Sequence, residues 1–241
     1  MRHLLIAASA LFISLAAVGQ AHAQLAVDRL WVDLDSAREP RGDVLVRNDS
    51  ADRYYITVQV FEIENPGEGE EKRITNADPE AVGLLVTPNR MIMEPGSQRS
   101  IRLVTLNPEL TKDRVYRVLI SPSVGDLQTE AAPEGGRGMA VKILTAFEVL
   151  VIARPVDARA QIVAERLPGE VVIRNNGATN ALLYDGFVCN KGERDTEKCT
   201  SIPVNRLYAG EVMHVPMTAP DQVVTLKQRT KVSEDPMDLT F

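Results

Sequence analysis

Past residue 24 of this 241-residue chain, apolar residues almost never recur at helical spacing, and this absence constrains the fold most. Short runs rich in Val, Ile, Leu, Thr and Tyr instead alternate with Pro, Gly, Asn and Asp, the pattern of antiparallel strands in a sandwich. Strands are expected at 26–34, 44–47, 54–62, 83–87, 90–93, 98–106, 115–120 and 139–153. These fill one β-sandwich before residue 155. After Arg154-Pro155 the pattern restarts at 160–164, 170–174, 182–189, 210–215 and 222–227, a second and smaller β unit.

An internal repeat supports this division. Residues 42–51 (GDVLVRNDSA) match residues 169–178 (GEVVIRNNGA) at a fixed offset of 127. Each copy runs from a turn through an alternating strand into an Asn-rich turn, so both halves are expected to share one strand-turn-strand module. The expected layout is a leader at 1–23, a first domain at 24–155 and a second at 156–241.

The leader rests on Arg2 and His3, the apolar run from Leu4 to Val18, and the small-x-small triplet Ala21-His22-Ala23. Together these have the form of a cleaved signal peptide; a membrane anchor needs about 20 apolar residues. Without Arg2, 26 basic side chains face 33 acidic ones, and the basic footprint of a nucleic-acid-binding protein is absent. An exported chain can hold disulfides. Cys189 and Cys199 flank the polar stretch NKGERDTEK and are expected to close a local loop, since their spacing is not the C-x-x-C of a redox pair.

Equipment for catalysis is missing. Once the leader is removed only His214 remains, so a His-dependent triad or multi-His metal site has no second histidine. The sequence EGGRG at 134–138 lacks the strand before it and the helix after it that a phosphate cradle needs. The acidic run at 62–71 contains Pro66 and Gly67 and reads as a solvated hairpin tip rather than a calcium site. No enzyme, metal or cofactor is expected. A carbohydrate-binding or hydrolytic sandwich would need an aromatic platform or paired carboxylates, and the one Trp, five Tyr and five Phe fall mostly in strand positions.

One run stands apart: MAVKILTAFEVLVIA at 139–153 is far longer than the average strand of about 5 to 6 residues. It reads either as a central strand buried on both faces or as an edge strand awaiting a partner. Long, Pro-free edges invite another chain to pair with their open N–H and C=O groups, and monomers usually blunt them.

Several stretches together resemble the periplasmic chaperones of the chaperone–usher pilus pathway, in a non-classical branch. LVTPNRMIMEPGSQRSIRL at 85–103 is similar to the family's Thr-Pro turn, apolar strand, Glu-Pro-Gly and strand ending in Arg-Leu. DRVYRV at 113–118 and VLVIARP at 149–155 resemble its next and last strands of the first domain, and RLYAG at 206–210 with the cysteine pair resembles second domains of the branch. The resemblance implies an all-β protein of two immunoglobulin-like sandwiches in an L-shaped arrangement, located in the periplasm. It implies two partners, pilus subunits lacking their final strand and an outer-membrane usher, and leaves self-association of the free protein open. No nucleotide or other cofactor is implied, because subunit folding itself supplies the energy.

By the same resemblance, Val141, Ile143, Thr145 and Phe147 would be lent to the subunit, a strand addition of the kind known for chaperone–pilin complexes. Usual family members hold the subunit's terminal carboxylate with two basic residues, and those positions fall here on Trp31 and Leu150. Arg29, expected on the same strand face as Trp31, and Arg117, on the strand beside the lending strand, are the candidate substitutes; a reading of both as solvated surface arginines stands beside this one. Arg154 would make an ion pair across the domain boundary with Asp113 and Asp221. The competing reading is a structural pilus or surface component, which would normally carry a donor extension at its mature N-terminus, where 25–34 reads as a first strand.

Overall fold

The computed structural model describes residues 24–67, 71–125, 142–231 and 233–241. In its first part run β1 (Leu25–Val27), β2 (Trp31–Asp35), β3 (Arg41–Asn48), β4 (Tyr54–Glu64), β5 (Lys72–Ile74), β6 (Leu84–Thr87), β7 (Arg90–Met93), β8 (Gln98–Thr105), β9 (Arg114–Ser123) and β10 (Phe147–Arg154). They pair into sheets ordered β1-β3-β8-β6 and β2-β10-β9-β4-β5, with β7 beside β4. Alternation puts Val44 and Val46 of β3, Ile101 and Leu103 of β8, Ile56 and Val58 of β4, Val118 and Ile120 of β9, and Val149 and Val151 of β10 into one core between the sheets.

The second part holds β11 (Ile162–Leu167), β12 (Glu170–Asn175), β13 (Ala181–Cys189), β14 (Thr200–Ile202), β15 (Asn205–Leu207), β16 (Val212–Pro216), β17 (Val223–Arg229) and β18 (Met237–Thr240). Their sheets, β11-β12-β16 and β14-β13-β17-β18 with β15 on β13, enclose a separate core that includes Val171, Ile173, Leu183, Leu207 and Leu226. The fold is all-β, with two immunoglobulin-like sandwiches. No described helix is long and apolar enough to cross a membrane.

The ten-residue repeat has a physical basis. Asn48 and Asn175 are fully buried, and each donates from Nδ2 to the carbonyl four residues on, Asp52 or Thr179, at 2.8 Å. Each also donates to a carbonyl outside its own copy, Met93 at 3.1 Å or Leu207 at 3.0 Å, and each accepts at Oδ1 from the N–H two residues on, Ser50 or Gly177, at 3.0 Å. Gly96 and Gly210, at φ of 71° and 88°, donate their N–H to the carbonyls of Asn48 and Asn175 at 2.8 Å. The left-handed turn that aims those N–H groups favours glycine. One corner is therefore built twice.

The short strands β5, β14, β15 and β18 had no counterpart among the expected runs, and two expected runs fold differently. The run at 26–34 is two strands, β1 in one sheet and β2 in the other. Between them Asp28 is tied to β3: its N–H donates to the Leu45 carbonyl at 3.0 Å, and its carboxylate accepts from Leu45 N–H at 2.8 Å. The run at 139–153 becomes a strand only from Phe147, and 139–141 lie outside the described residues. Phe147 pairs with Ile120, so continuing the register would set Thr145 opposite Pro122, which has no N–H for a ladder. From Leu150 onward β10 lies between β2 and β9, while Phe147 to Val149 pair with β9 alone. The central-strand reading thus holds from Leu150 onward, and Phe147 to Val149 form an edge.

Cys189 and Cys199 are bonded. Reduction is expected to lower stability by about 2 to 3 kcal/mol for so short a loop, read as a lower denaturant midpoint in the presence of reductant.

Candidate functional site

The site lies on the outer face of the β2-β10-β9-β4 sheet. Trp31, Leu150, Arg117 and Phe61 form one row of directly paired residues across these four strands. Tyr208, which follows β15 in the second sandwich, packs on this face with buried Ile63 and Val115, and Phe61 and Leu150 lie against them. The two sandwiches therefore meet through an apolar contact beside this row.

Trp31 and Leu150, where the resemblance places the family's basic pair, are direct neighbours. Charge reaches their row from Arg117 and from Arg206, a residue that sequence reasoning did not single out. The Arg206 guanidinium lies 3.9 Å from the centre of the Trp31 ring and donates to Asn180 Oδ1 at 2.5 Å. It forms no ion pair among the described residues, and burial, with Arg154 nearby, lowers its pKa. The only prior sign of it was its place in RLYAG.

Arg117 is already paired. It donates to Glu71 through Nη2 and, at 3.3 Å, through Nε, while Glu148 lies 3.9 Å away and is itself held by Arg73 at 2.6 and 3.1 Å. The hydrogen bond from Arg117 holds the Glu71 carboxyl below its ordinary range. A group with a lowered native pKa contributes stability that is complete above its unfolded pKa and is lost as pH falls through the native one. Glu71→Gln is accordingly expected to flatten the acid side of a melting-temperature profile between pH 3 and 6, roughly the carboxylate range, and to leave pH 7 to 8 little changed in slope. The adjoining hairpin tip is not simply solvated: Gly67, at φ of 91°, abuts the Glu211 carboxylate of the second sandwich, and a Cβ there would collide with it.

Arg29 is not in the row. It sits in the segment between β1 and β2, exposed and bonded to Asp28 at 2.8 Å. The face it was expected to share with Trp31 is lost because alternation breaks where the chain changes sheets.

Arg154 is 1% exposed. Its Nε and Nη2 donate to Asp33 Oδ1 at 2.8 and 2.6 Å, Nη2 also donates to the Thr230 carbonyl at 2.6 Å, and Nη1 donates to Thr179 Oγ1. Asp113 lies 3.8 Å from Nη1. Arg154 and Asp113 are thus brought together, and residues of both sandwiches join them. Asp221 does not enter the set; it is exposed in the turn before β17. Asp33 takes its place, because β2 runs parallel to β10 with Asp33 beside Ile152, two residues from Arg154 and on the same face.

Of the residues expected to be lent, Val141 lies outside the described residues. Ile143 is 80% exposed and Thr145 is exposed. Leu144 and Phe147 pack against the first core, and Lys142 pairs with Asp52.

No family model matches the chain. Two fimbrial proteins of Escherichia coli are similar in sequence. The CS1 fimbrial B subunit is 25% identical over 169 residues, 69% of this chain and 70% of that protein. The CFA/I fimbrial A subunit is 25% identical over 165 residues, 68% of each. Among solved structures, the class 5 fimbriae chaperone CfaA superposes with a TM-score of 0.68 at 23% identity, covering 90% of this chain and 97% of CfaA. A chain of the CsuC–CsuE chaperone–tip subunit pre-assembly complex, from the archaic chaperone–usher Csu pili of Acinetobacter baumannii, gives 0.53 at 12% identity, covering 81% and 91%. This chain has the two-sandwich fold of the chaperone–usher pilus chaperones.

Proposed function

We propose that this chain is a periplasmic chaperone of 24–155 and 156–241 domains, preceded by a cleaved leader, that lends residues 141–147 to fimbrial subunits lacking a strand and passes them to an outer-membrane usher. The observation that carries the reading is β10, which leaves its ladder at Phe147 and continues into a segment whose Ile143 is 80% exposed. A subunit groove that took up such side chains would gain about 1.5 to 3 kcal/mol for each large one. In place of the family's basic pair, Arg206, with Arg117 one strand beyond Leu150, would receive the subunit's terminal carboxylate by charge-assisted hydrogen bonds.

The names of the two Escherichia coli relatives favour a second reading, a structural subunit. Against it, Leu25–Val27 pairs with β3 and Leu25 is buried, so the stretch that a subunit would extend outward is part of this protein's own sheet.

Co-purification from the periplasm with candidate subunits separates the two. Because Ile143 is exposed in the free protein, Ile143→Asp is expected to leave its melting curve unchanged, yet to abolish a one-to-one complex, since an unpartnered charge buried in the subunit groove costs several kcal/mol. Recovery of equal amounts of fimbrial partner with both forms would rule out lending at this position.

A further inference from the structure

We propose that Asn180 is a positioning residue: it holds Arg206 on Trp31 without an ion-pair partner among the described residues and links it to the buried Arg154–Asp113 pair at the domain junction, so that an anionic group reaching Trp31 meets a preset cation. This rests on the chaperone reading for the source of that group, the terminal carboxylate of a bound chain. A half-buried guanidinium at a domain junction commonly takes a carboxylate partner. Arg206 has instead the amide oxygen of Asn180 at 2.5 Å, which accepts a hydrogen bond without cancelling charge, and the face of Trp31 at 3.9 Å. Asn180 is fully buried and immobilised by Asp113 Oδ2, which accepts from its backbone N–H at 2.7 Å and from Nδ2 at 2.5 Å. The same Asp113 oxygen lies 3.8 Å from Arg154. A continuous path thus runs from Trp31 through Arg206, Asn180 and Asp113 to Arg154. The residue type matters. An aspartate at 180 would neutralise Arg206 and face the Asp113 carboxylate.

Trp31 is the only tryptophan, so its emission reports this site in the intact protein. The probes are a hexapeptide of alternating Val and Thr with a free terminal carboxylate, and the same peptide ending in a carboxamide. The native protein is expected to bind the acid about tenfold more tightly or better. Arg206→Gln should remove that preference, and Asn180→Ala should reduce it to about threefold or less, with Trp31 emission altered before any peptide is added. If Asn180→Ala does not fold, the near-isosteric Asn180→Asp is expected to erase the preference by pairing with Arg206. A folded Asn180 variant that keeps the full preference, while Arg206→Gln loses it, overturns the positioning role and leaves the anchor standing. Equal or absent binding of the two peptides by the native protein overturns both.

Discussion

Arg154→Ala is expected to destabilise the intact protein by about 3 to 5 kcal/mol, because removing one partner of a buried ion pair leaves the other's charge without its counter-ion. Asp33 would lose both of its hydrogen bonds from Arg154, and the Thr230 carbonyl one more. Thr179 and Thr230 belong to the second sandwich and Asp33 to the first, so the loss falls on the junction itself. For a protein of this size the change corresponds to a fall in Tm on the order of 10 °C, and calorimetry should show the two sandwiches melting as separate transitions. Arg38→Ala is the control: Arg38 is 61% exposed in its pair with Asp157, and such surface pairs are worth about 1 kcal/mol or less. Coincident melting curves for the two variants would remove the ion pair from the account.

The second large effect is at the repeated corner. Asn48→Ala deletes three donated and two accepted bonds, and Asn175→Ala two donated and two accepted bonds, each at a fully buried position. Carbonyls left buried without a donor cost about 1 to 3 kcal/mol each, so each variant is expected to lose about 3 kcal/mol in urea denaturation. Because the two corners are built alike, the losses should be of similar size, one in each sandwich. A loss below about 1 kcal/mol at either would mean that water repairs the corner and that the repeat is not an energetic unit.

What was legible in the sequence is what local chemistry controls. Alternation in β3, β4, β8 and β9 marks the core faces directly, since period-two burial needs no knowledge of neighbours. The match between 42–51 and 169–178 pointed to the one motif whose asparagine both sandwiches bury. Arg154 and Asp113 were legible through resemblance. Pairings between distant strands were not. Asp33 reaches Arg154 only because β2 lies parallel beside β10, a tertiary fact that strand counting replaced with Asp221. Arg29 lost its expected face because Asp28 hands the chain from one sheet to the other, which no alternation pattern records. Arg206 was hidden because its significance lies in what sits beneath it, a tryptophan 175 positions earlier in the chain.

The central claim is that residues beyond the β10 ladder become a strand only in a partner. Amide hydrogen exchange of the free protein and of its complex with a fimbrial subunit tests this directly. The account predicts that the amides of residues 143–146, off the ladder in the free protein, exchange rapidly there and gain on the order of 10²-fold protection or more in the complex, while those of Val151 to Ala153, already between two strands, change little. A one-to-one complex in which 143–146 exchange as fast as in the free protein would contradict it, and would mean that the subunit is held by some other surface.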